Sequence, residues 1–186
     1  HQCVPALAGG EPDVHRHGAR AAQRARARGA RLTRKDTGET SRVPDAAWRH
    51  PEPGQLIGPG HMAGDFLEAP RWRVLEERSG FLRLEVPMPA RLCNPRGQLF
   101  GGFAPTYVDL IALFTFRAGR RREGPWHWLA TVSMRLDYYE PVLGPTFLVE
   151  SEVRHRRGRN AWVETRFLDA QGTPLIDAST VLREVA

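Results

Sequence analysis

The sequence is poor in several features that would have settled its class. Its two cysteines, Cys3 and Cys93, are too few for a disulfide scaffold or a cysteine zinc site, and a reducing cytoplasm is the default location. No apolar run reaches the length of about 18 residues that a membrane-spanning helix needs, so we expect no membrane partner. No short apolar run follows a basic start, so we expect no secretory signal. Lysine is nearly absent: Lys35 is the only one among 27 basic residues.

The net charge of +6 would ordinarily point to nucleic acid. The charge is unevenly spread, however. Residues 1–61 carry ten basic and six acidic residues, whereas residues 62–186 carry seventeen and fifteen. The part of the chain with a foldable pattern is therefore nearly neutral, and we do not expect it to bind nucleic acid.

Residues 1–61 differ in composition from the rest of the chain. Gly, Pro, Ala and Arg dominate, and the basic stretch Ala19–Arg34 has no apolar stripe that would hold it against a core. The sequence PEPGQLIGPG at 51–60 is typical of an extended linker. We therefore expect a disordered or non-native basic leader over 1–61 and a domain over 62–186. A nucleic-acid-binding arm is the alternative for the leader, and it would give a salt-sensitive shift in DNA mobility.

From Met62 onward, apolar alternation predicts strands around one helix. The expected order is Arg71–Arg78, Phe81–Val86, the helix Phe103–Phe116, Trp128–Tyr139, Phe147–His155, Ala161–Leu168 and Pro174–Arg183. Short links require antiparallel neighbours. The helix is apolar nearly all round and must be buried on every side, with Gly119 and the arginines at 120–122 ending it. The fold class is α+β, an antiparallel sheet wrapped around one long central helix.

In the third strand, strict alternation places one set of apolar residues on one face. That set is Ala130, Val132, Met134, Leu136 and Tyr138.

Asp109 is the only charged residue between Phe103 and Phe116. Burying a lone carboxylate costs several kcal/mol unless it is paired or neutral. One interpretation is that Asp109 is hydrogen-bonded to neighbouring strands or exposed at the helix edge. The other is a functional carboxylate, because such surroundings tune acids and bases.

Gly101 and Gly102 precede the same helix. The free N–H groups of a helix N-terminus can hold an anion or a developing oxyanion, although paired glycines also serve plain turns. Gly101 and Asp109 are eight residues apart, which is about 12 Å of helical rise. Both groups cannot then reach one oxyanion within a single chain, which suggests a dimer.

The stretch from Asn94 to Gly102, followed by Asp109, resembles the hotdog-fold acyl-CoA thioesterases of the phenylacetate-operon type, in the 4-hydroxybenzoyl-CoA thioesterase superfamily. Their motif is roughly N-x-x-G-x-x-H-G-G, with Asp or Glu eight residues after the first glycine of the pair. The matching positions are Asn94, Gly97, Gly101, Gly102 and Asp109, and Thr131 matches the family's Ser/Thr ten residues before a proline, here Pro141. The resemblance covers about residues 70–185. Phe100 stands where the family usually has histidine.

The resemblance implies a hotdog fold and hydrolysis of an acyl-CoA thioester to free acid and CoA. In this interpretation the Gly101 amide binds the oxyanion, and Gly102 completes the helix end. Asp109 of a partner subunit acts as general base or nucleophile, Thr131 orients the water, and Asn94 fixes the carbonyl or the loop. No metal or redox cofactor is implied, since coenzyme A is part of the substrate.

The resemblance also implies substrate contacts and an assembly. Phe100 would contact the substrate, and a basic turn with Arg156, Arg157 and Arg159 would meet the phosphates of coenzyme A. A solvated hairpin tip is the alternative for that turn. The family implies a homodimer, often a dimer of dimers that makes a homotetramer.

Two other functions remain open. Phe100 in place of histidine favours a non-catalytic acyl-CoA binding or sensing module on the same fold, whereas Asp109 with Thr131 favours the enzyme. A dehydratase ranks lower, because it needs a site histidine paired with a carboxylate and Phe100 fills that place.

Overall fold

The computed structural model describes residues 47–119 and 128–185. Within them, six strands form one antiparallel sheet in the order β1-β2-β4-β5-β6-β3. The strands are β1 Arg73–Arg78, β2 Phe81–Pro87, β3 Trp128–Tyr138, β4 Thr146–Arg157, β5 Asn160–Leu168 and β6 Pro174–Val185. The predicted number and order of strands are confirmed. The arginines at 120–122 lie outside the described residues.

The long helix, α2, runs over Ala104–Arg117 and follows a 3-10 turn at Gly101–Phe103. Pro105 lies in its first turn, where the missing N–H costs nothing. Nine of its residues are buried, among them Tyr107, Ile111 and Phe114, and the helix packs against β2 to β6. An all-round apolar helix is thus buried nearly all round, as its sequence predicts.

The sheet is not the only part of the chain that covers this helix, because residues 47–72 pack on the same core. We call these residues the N-terminal strap. It contains the helix α1 (Met62–Phe66) and 3-10 turns at Ala47–Arg49 and Ala69–Arg71. Leu56 and Ile57 are 2% and 0% exposed and belong to the core cluster that includes α2.

The strap corrects the expected extended linker at 51–60. Leu56 and Ile57 are part of the core, and removing their apolar side chains from water stabilises this packed conformation over an extended, solvated one. Gln55 also bridges to Arg73 at the start of β1. The expected leader over residues 1–46 lies outside the described residues, and for them it stays a prediction.

An ion-pair cluster fastens the strap to the loop after β2. The Glu68 carboxylate accepts hydrogen bonds from Arg71 and Arg91, and Arg91 also donates to the Phe66 carbonyl at 2.7 Å. Hydrogen bonds from Arg91 and Arg71 hold the pKa of Glu68 below its usual value. The end of α1 is therefore tied to the 3-10 turn Ala90–Leu92, which carries Arg91.

A β-bulge in β3 changes which residues face the core. Thr131 pairs with Leu182, but the next pair is Ser133 with Val181, so Val132 is an extra residue. The expected alternation is correct after the bulge and wrong before it, because the extra residue reverses the faces. Val132 is 59% exposed and Ala130 is exposed too. Opposite residues in an antiparallel pair share a face, so Thr131 lies on the inner face with the buried Leu182.

The outer face of the sheet is charged. Arginines there pair with carboxylates on neighbouring strands, as in Arg83–Glu150 at 3.4 Å and Arg154–Glu164 at 3.0 Å. Neither helix within 47–119 and 128–185 has the length and apolarity to cross a bilayer.

Candidate active site

Asp109 and Thr131 meet between the middle of α2 and β3. The Thr131 hydroxyl donates a hydrogen bond to Oδ1 of Asp109. The bulge makes this contact, since it turns Thr131 toward the helix. Two residues that the resemblance singled out, 22 positions apart in the chain, are thus brought together.

Asp109 is partnered through only one of its two carboxylate oxygens. Asp109 is partly buried, and Thr131 is exposed. Among the described residues no cation pairs with Asp109, and its Oδ2 has no hydrogen-bond partner. Both parts of the first interpretation are therefore met, because Asp109 is hydrogen-bonded to a neighbouring strand and partly accessible at the helix edge. The functional interpretation stays a prediction. One carboxylate oxygen remains open to a water or a substrate.

Gly101 and Gly102 form an exposed turn at the other end of the same helix segment. No described residue accepts a hydrogen bond from either of their N–H groups. These amides lie where the positive end of the helix dipole favours negative charge. The turn can therefore donate to an oxyanion.

Tyr138 is a residue of this site that the sequence reasoning missed. Its hydroxyl donates to the Gly101 carbonyl at 2.9 Å. Tyr138 is at the end of β3, and desolvation by partial burial raises its pKa above the ordinary value, so it stays a proton donor at neutral pH. The available signal was weak: alternation put Tyr138 on the same face as Met134 and Leu136 but gave no partner for it.

Asn94 organises the loop that leads to the glycines. Its Oδ1 accepts from the N–H groups of Arg96 at 2.9 Å and Gln98 at 3.2 Å, and its Nδ2 donates to the Gln98 side chain at 3.1 Å. Gly97, with φ +73°, takes the left-handed conformation that this tight turn requires. The geometry favours the loop-fixing alternative for Asn94 over direct contact with the carbonyl.

Phe100 begins an aromatic row beside the glycines. Its ring is 54% exposed, and its Cε1 lies 2.7 Å from where a Cβ on Gly102 would be. Phe103 packs edge-on against Phe100 and Phe66, with centroid distances of 5.6 Å in each case. Phe66 is 44% exposed. Gly102 thus leaves room for the ring, and the row presents apolar surface next to free amides.

The basic turn lies at the opposite end of α2. Arg156 stacks over the Phe116 ring at 4.2 Å and donates to the Phe116 carbonyl at 3.2 Å, near the helix C-terminus. Arg159 donates to the Glu184 carbonyl at 2.9 Å. Arg157 pairs with Asn160 at the end of the β4–β5 hairpin. Within one chain, these arginines do not lie beside Gly101, and their phosphate role stays a prediction.

Comparison with known proteins gives a fold. No family model matches the chain, and no curated protein matches it. Among solved structures, it is similar to the PaaI protein of the phenylacetic acid degradation operon from E. coli, with 12% identity and a TM-score of 0.56 over 68% of this chain and 86% of that one. It is similar to zebra fish thioesterase superfamily member 2, with 19% identity and a TM-score of 0.57 over 69% and 88%.

A third structure was determined with a ligand. It is a hypothetical thioesterase from Streptococcus pneumoniae TIGR4 with coenzyme A, at 14% identity and a TM-score of 0.55 over 62% of this chain and 87% of that one. At these identities the likeness shows the fold alone. The six-stranded antiparallel sheet around one long helix is the hotdog fold, which confirms the fold that the motif implied.

Proposed function

We propose that the protein hydrolyses an acyl-CoA thioester to a free acid and coenzyme A. The observation that carries the proposal is the Asp109–Thr131 pair, placed on the same helix that begins at the unpaired Gly101 and Gly102 amides. The hotdog neighbours support it, because they include proteins called thioesterases and one structure with coenzyme A.

Hydrolysis needs a polarised thioester carbonyl and an activated water. The Gly101 N–H, with Gly102 beside it, donates to the thioester carbonyl and stabilises the oxyanion, an effect typically worth about 3–4 kcal/mol per donor. Asp109 takes a proton from water, whose oxygen attacks the carbonyl carbon. The C–S bond then breaks, and coenzyme A leaves as its thiol after gaining a proton. Direct attack by the Asp109 carboxylate is the alternative route.

This site requires two copies of the chain. Gly101 and Asp109 are separated by about 12 Å along one helix, so we assign Asp109 and Thr131 of one protomer to the Gly101 turn of the other. Strand β3, which has 11 residues and contains Thr131, lies at the edge of the sheet. This position supports pairing of β3 with a second copy of the chain. A homodimer is the minimum assembly, and a dimer of dimers is compatible with it. A monomer by light scattering at micromolar concentration would contradict this arrangement.

The aromatic row and the basic turn differ in chemistry, and we assign different parts of the substrate to them. The aromatic row of Phe100, Phe103 and Phe66 suits the acyl group. Arg157 and Arg159, with Arg156, are assigned to the phosphates of coenzyme A bound by a neighbouring protomer.

The decisive experiment measures thiol release from a panel of aliphatic and aromatic acyl-CoA thioesters. We expect Asp109→Asn to lower kcat/KM by a factor of about 10² or more. Asp137→Asn is the matched control, because Asp137 pairs with Arg135 at 3.0 Å on β3 and should leave the rate within about twofold. Equal activity of wild type and Asp109→Asn would rule out the assigned chemistry.

A second function is an acyl-CoA binding module without turnover. Phe100 favours it, because its ring covers Gly102 and it stands where the motif of the thioesterases that the sequence resembles usually has histidine. Calorimetry on the same panel separates the two functions: tight binding of acyl-CoA with no thiol released from any thioester would establish the binding module and reject the enzyme.

A further inference from the structure

We propose that Tyr138 is a positioning residue that sets the direction of the Gly102 N–H, the donor beside the Gly101 N–H at the Gly101–Gly102 turn. This inference rests on the proposed function, in which that turn receives the thioester oxygen. Tyr138 does not need to touch the substrate for this role, since it acts through the peptide group between the two glycines.

The geometry starts from the Gly101 carbonyl, which accepts two hydrogen bonds. One comes from the Tyr138 hydroxyl at 2.9 Å and the other from the Ala104 N–H. The Gly101 carbonyl and the Gly102 N–H belong to one planar peptide unit. Two donors on the oxygen therefore fix the rotation of that plane, and with it the direction of the Gly102 N–H.

The turn needs such an anchor because it is made of glycine. Glycine restricts its own backbone less than any other residue, so an unanchored Gly101–Gly102 peptide can rotate its N–H away from the substrate. The Tyr138 ring also supports the turn, since its Cε1 is 3.6 Å from the place of a Cβ on Gly101. Donation to the carbonyl further polarises the peptide and strengthens its N–H as a donor.

The neighbouring residue provides a matched control. Tyr139 is 56% exposed, close to the 52% of Tyr138, and its backbone N–H pairs with Leu175. Its hydroxyl makes no hydrogen bond with the described residues. Tyr138→Phe and Tyr139→Phe therefore remove the same atom from adjacent positions, and only the first loses the bond to Gly101.

The experiment compares these two variants with wild type in the full chain. We expect Tyr138→Phe to lower kcat by about 3- to 10-fold with KM nearly unchanged, because one neutral hydrogen bond supports the donor in the transition state. Tyr139→Phe should match wild type in both constants. In ¹H–¹⁵N NMR spectra without substrate, the Gly102 amide resonance should shift in Tyr138→Phe and stay in place in Tyr139→Phe.

The two measurements separate failure of this inference from failure of the proposed function. If wild type releases no thiol from any acyl-CoA, the proposed function fails, and the effect of Tyr138 on kcat is overturned with it. In that case the Gly102 resonance still decides whether Tyr138 orients the turn. In an active enzyme, an unchanged kcat in Tyr138→Phe or an unmoved Gly102 resonance overturns the inference.

Discussion

Truncating Ile57 tests whether the N-terminal strap is part of the core. Ile57 is 0% exposed, and its Cδ1 is 3.1 Å from the place of a Cβ on Gly64 in α1. Ile57→Ala removes three carbon atoms' worth of packing and leaves a cavity that the surrounding core fills only in part. Such substitutions cost about 2–5 kcal/mol, so we expect a loss of about 3 kcal/mol in the free energy of unfolding. Ile57→Val should cost only about 1 kcal/mol.

Thermal and urea denaturation followed by circular dichroism measure this loss. For a chain of this size, about 3 kcal/mol corresponds to a fall in Tm of roughly 6–12 °C. Met62→Ala is the control, because Met62 lies in the same strap but is 88% exposed, and its effect should stay within about 0.5 kcal/mol. If Ile57→Ala unfolds together with wild type, the part of the strap before Met62 contributes nothing to the core, and the domain begins near residue 62 as the sequence predicted.

Two further predictions concern backbone conformation and pH. Gly119→Ala should cost more than about 3 kcal/mol by urea denaturation, because Gly119 has φ +69° and a Cβ there would lie 2.6 Å from the Ser79 nitrogen. Gly158→Ala, with φ +58° and open space around it, should cost only about 1–2 kcal/mol, and equal costs would refute the steric argument. Arg91 depresses the pKa of Glu68 in the folded state, so this carboxylate stabilises the fold above its unfolded pKa of about 4.3, and the contribution disappears as the pH falls through the lower, folded pKa. Glu68→Gln should therefore flatten the fall of the urea midpoint between about pH 5 and pH 3, and an unchanged slope would contradict the pairing.

Much of the fold follows from local pattern, and the reasons are visible in particular residues. Leu82, Leu84 and Val86 alternate with Arg83 and Glu85 in β2, and the structure buries the first three completely. Side chains of a strand point alternately to its two faces. In a sheet with one charged face, the alternation of apolar and charged residues therefore shows which side chains face the core. The helix is equally clear, since Asp109 is the only charged residue between Phe103 and Phe116.

The strap has no such pattern. Leu56 and Ile57 are two apolar residues among prolines and glycines, and their burial comes from contact with distant residues. Composition measures the average character of a segment, whereas core membership depends on single side chains. The same limit applies to Arg156, because nothing near it in sequence shows that its guanidinium lies on Phe116 at the end of α2.

The bulge in β3 joins the fold to the proposed chemistry. Thr131 and Tyr138 are seven residues apart, an odd separation that places two side chains on opposite faces of a regular strand. The extra residue, Val132, makes the separation effectively even, so both side chains reach the inner face. There one donates to Asp109 and the other to the Gly101 carbonyl. Without that residue, one end of β3 could support the helix carboxylate or the other end could support the glycine turn, but not both. A single inserted residue thus allows one strand to hold the Asp109 carboxylate through Thr131 and the Gly101–Gly102 peptide through Tyr138.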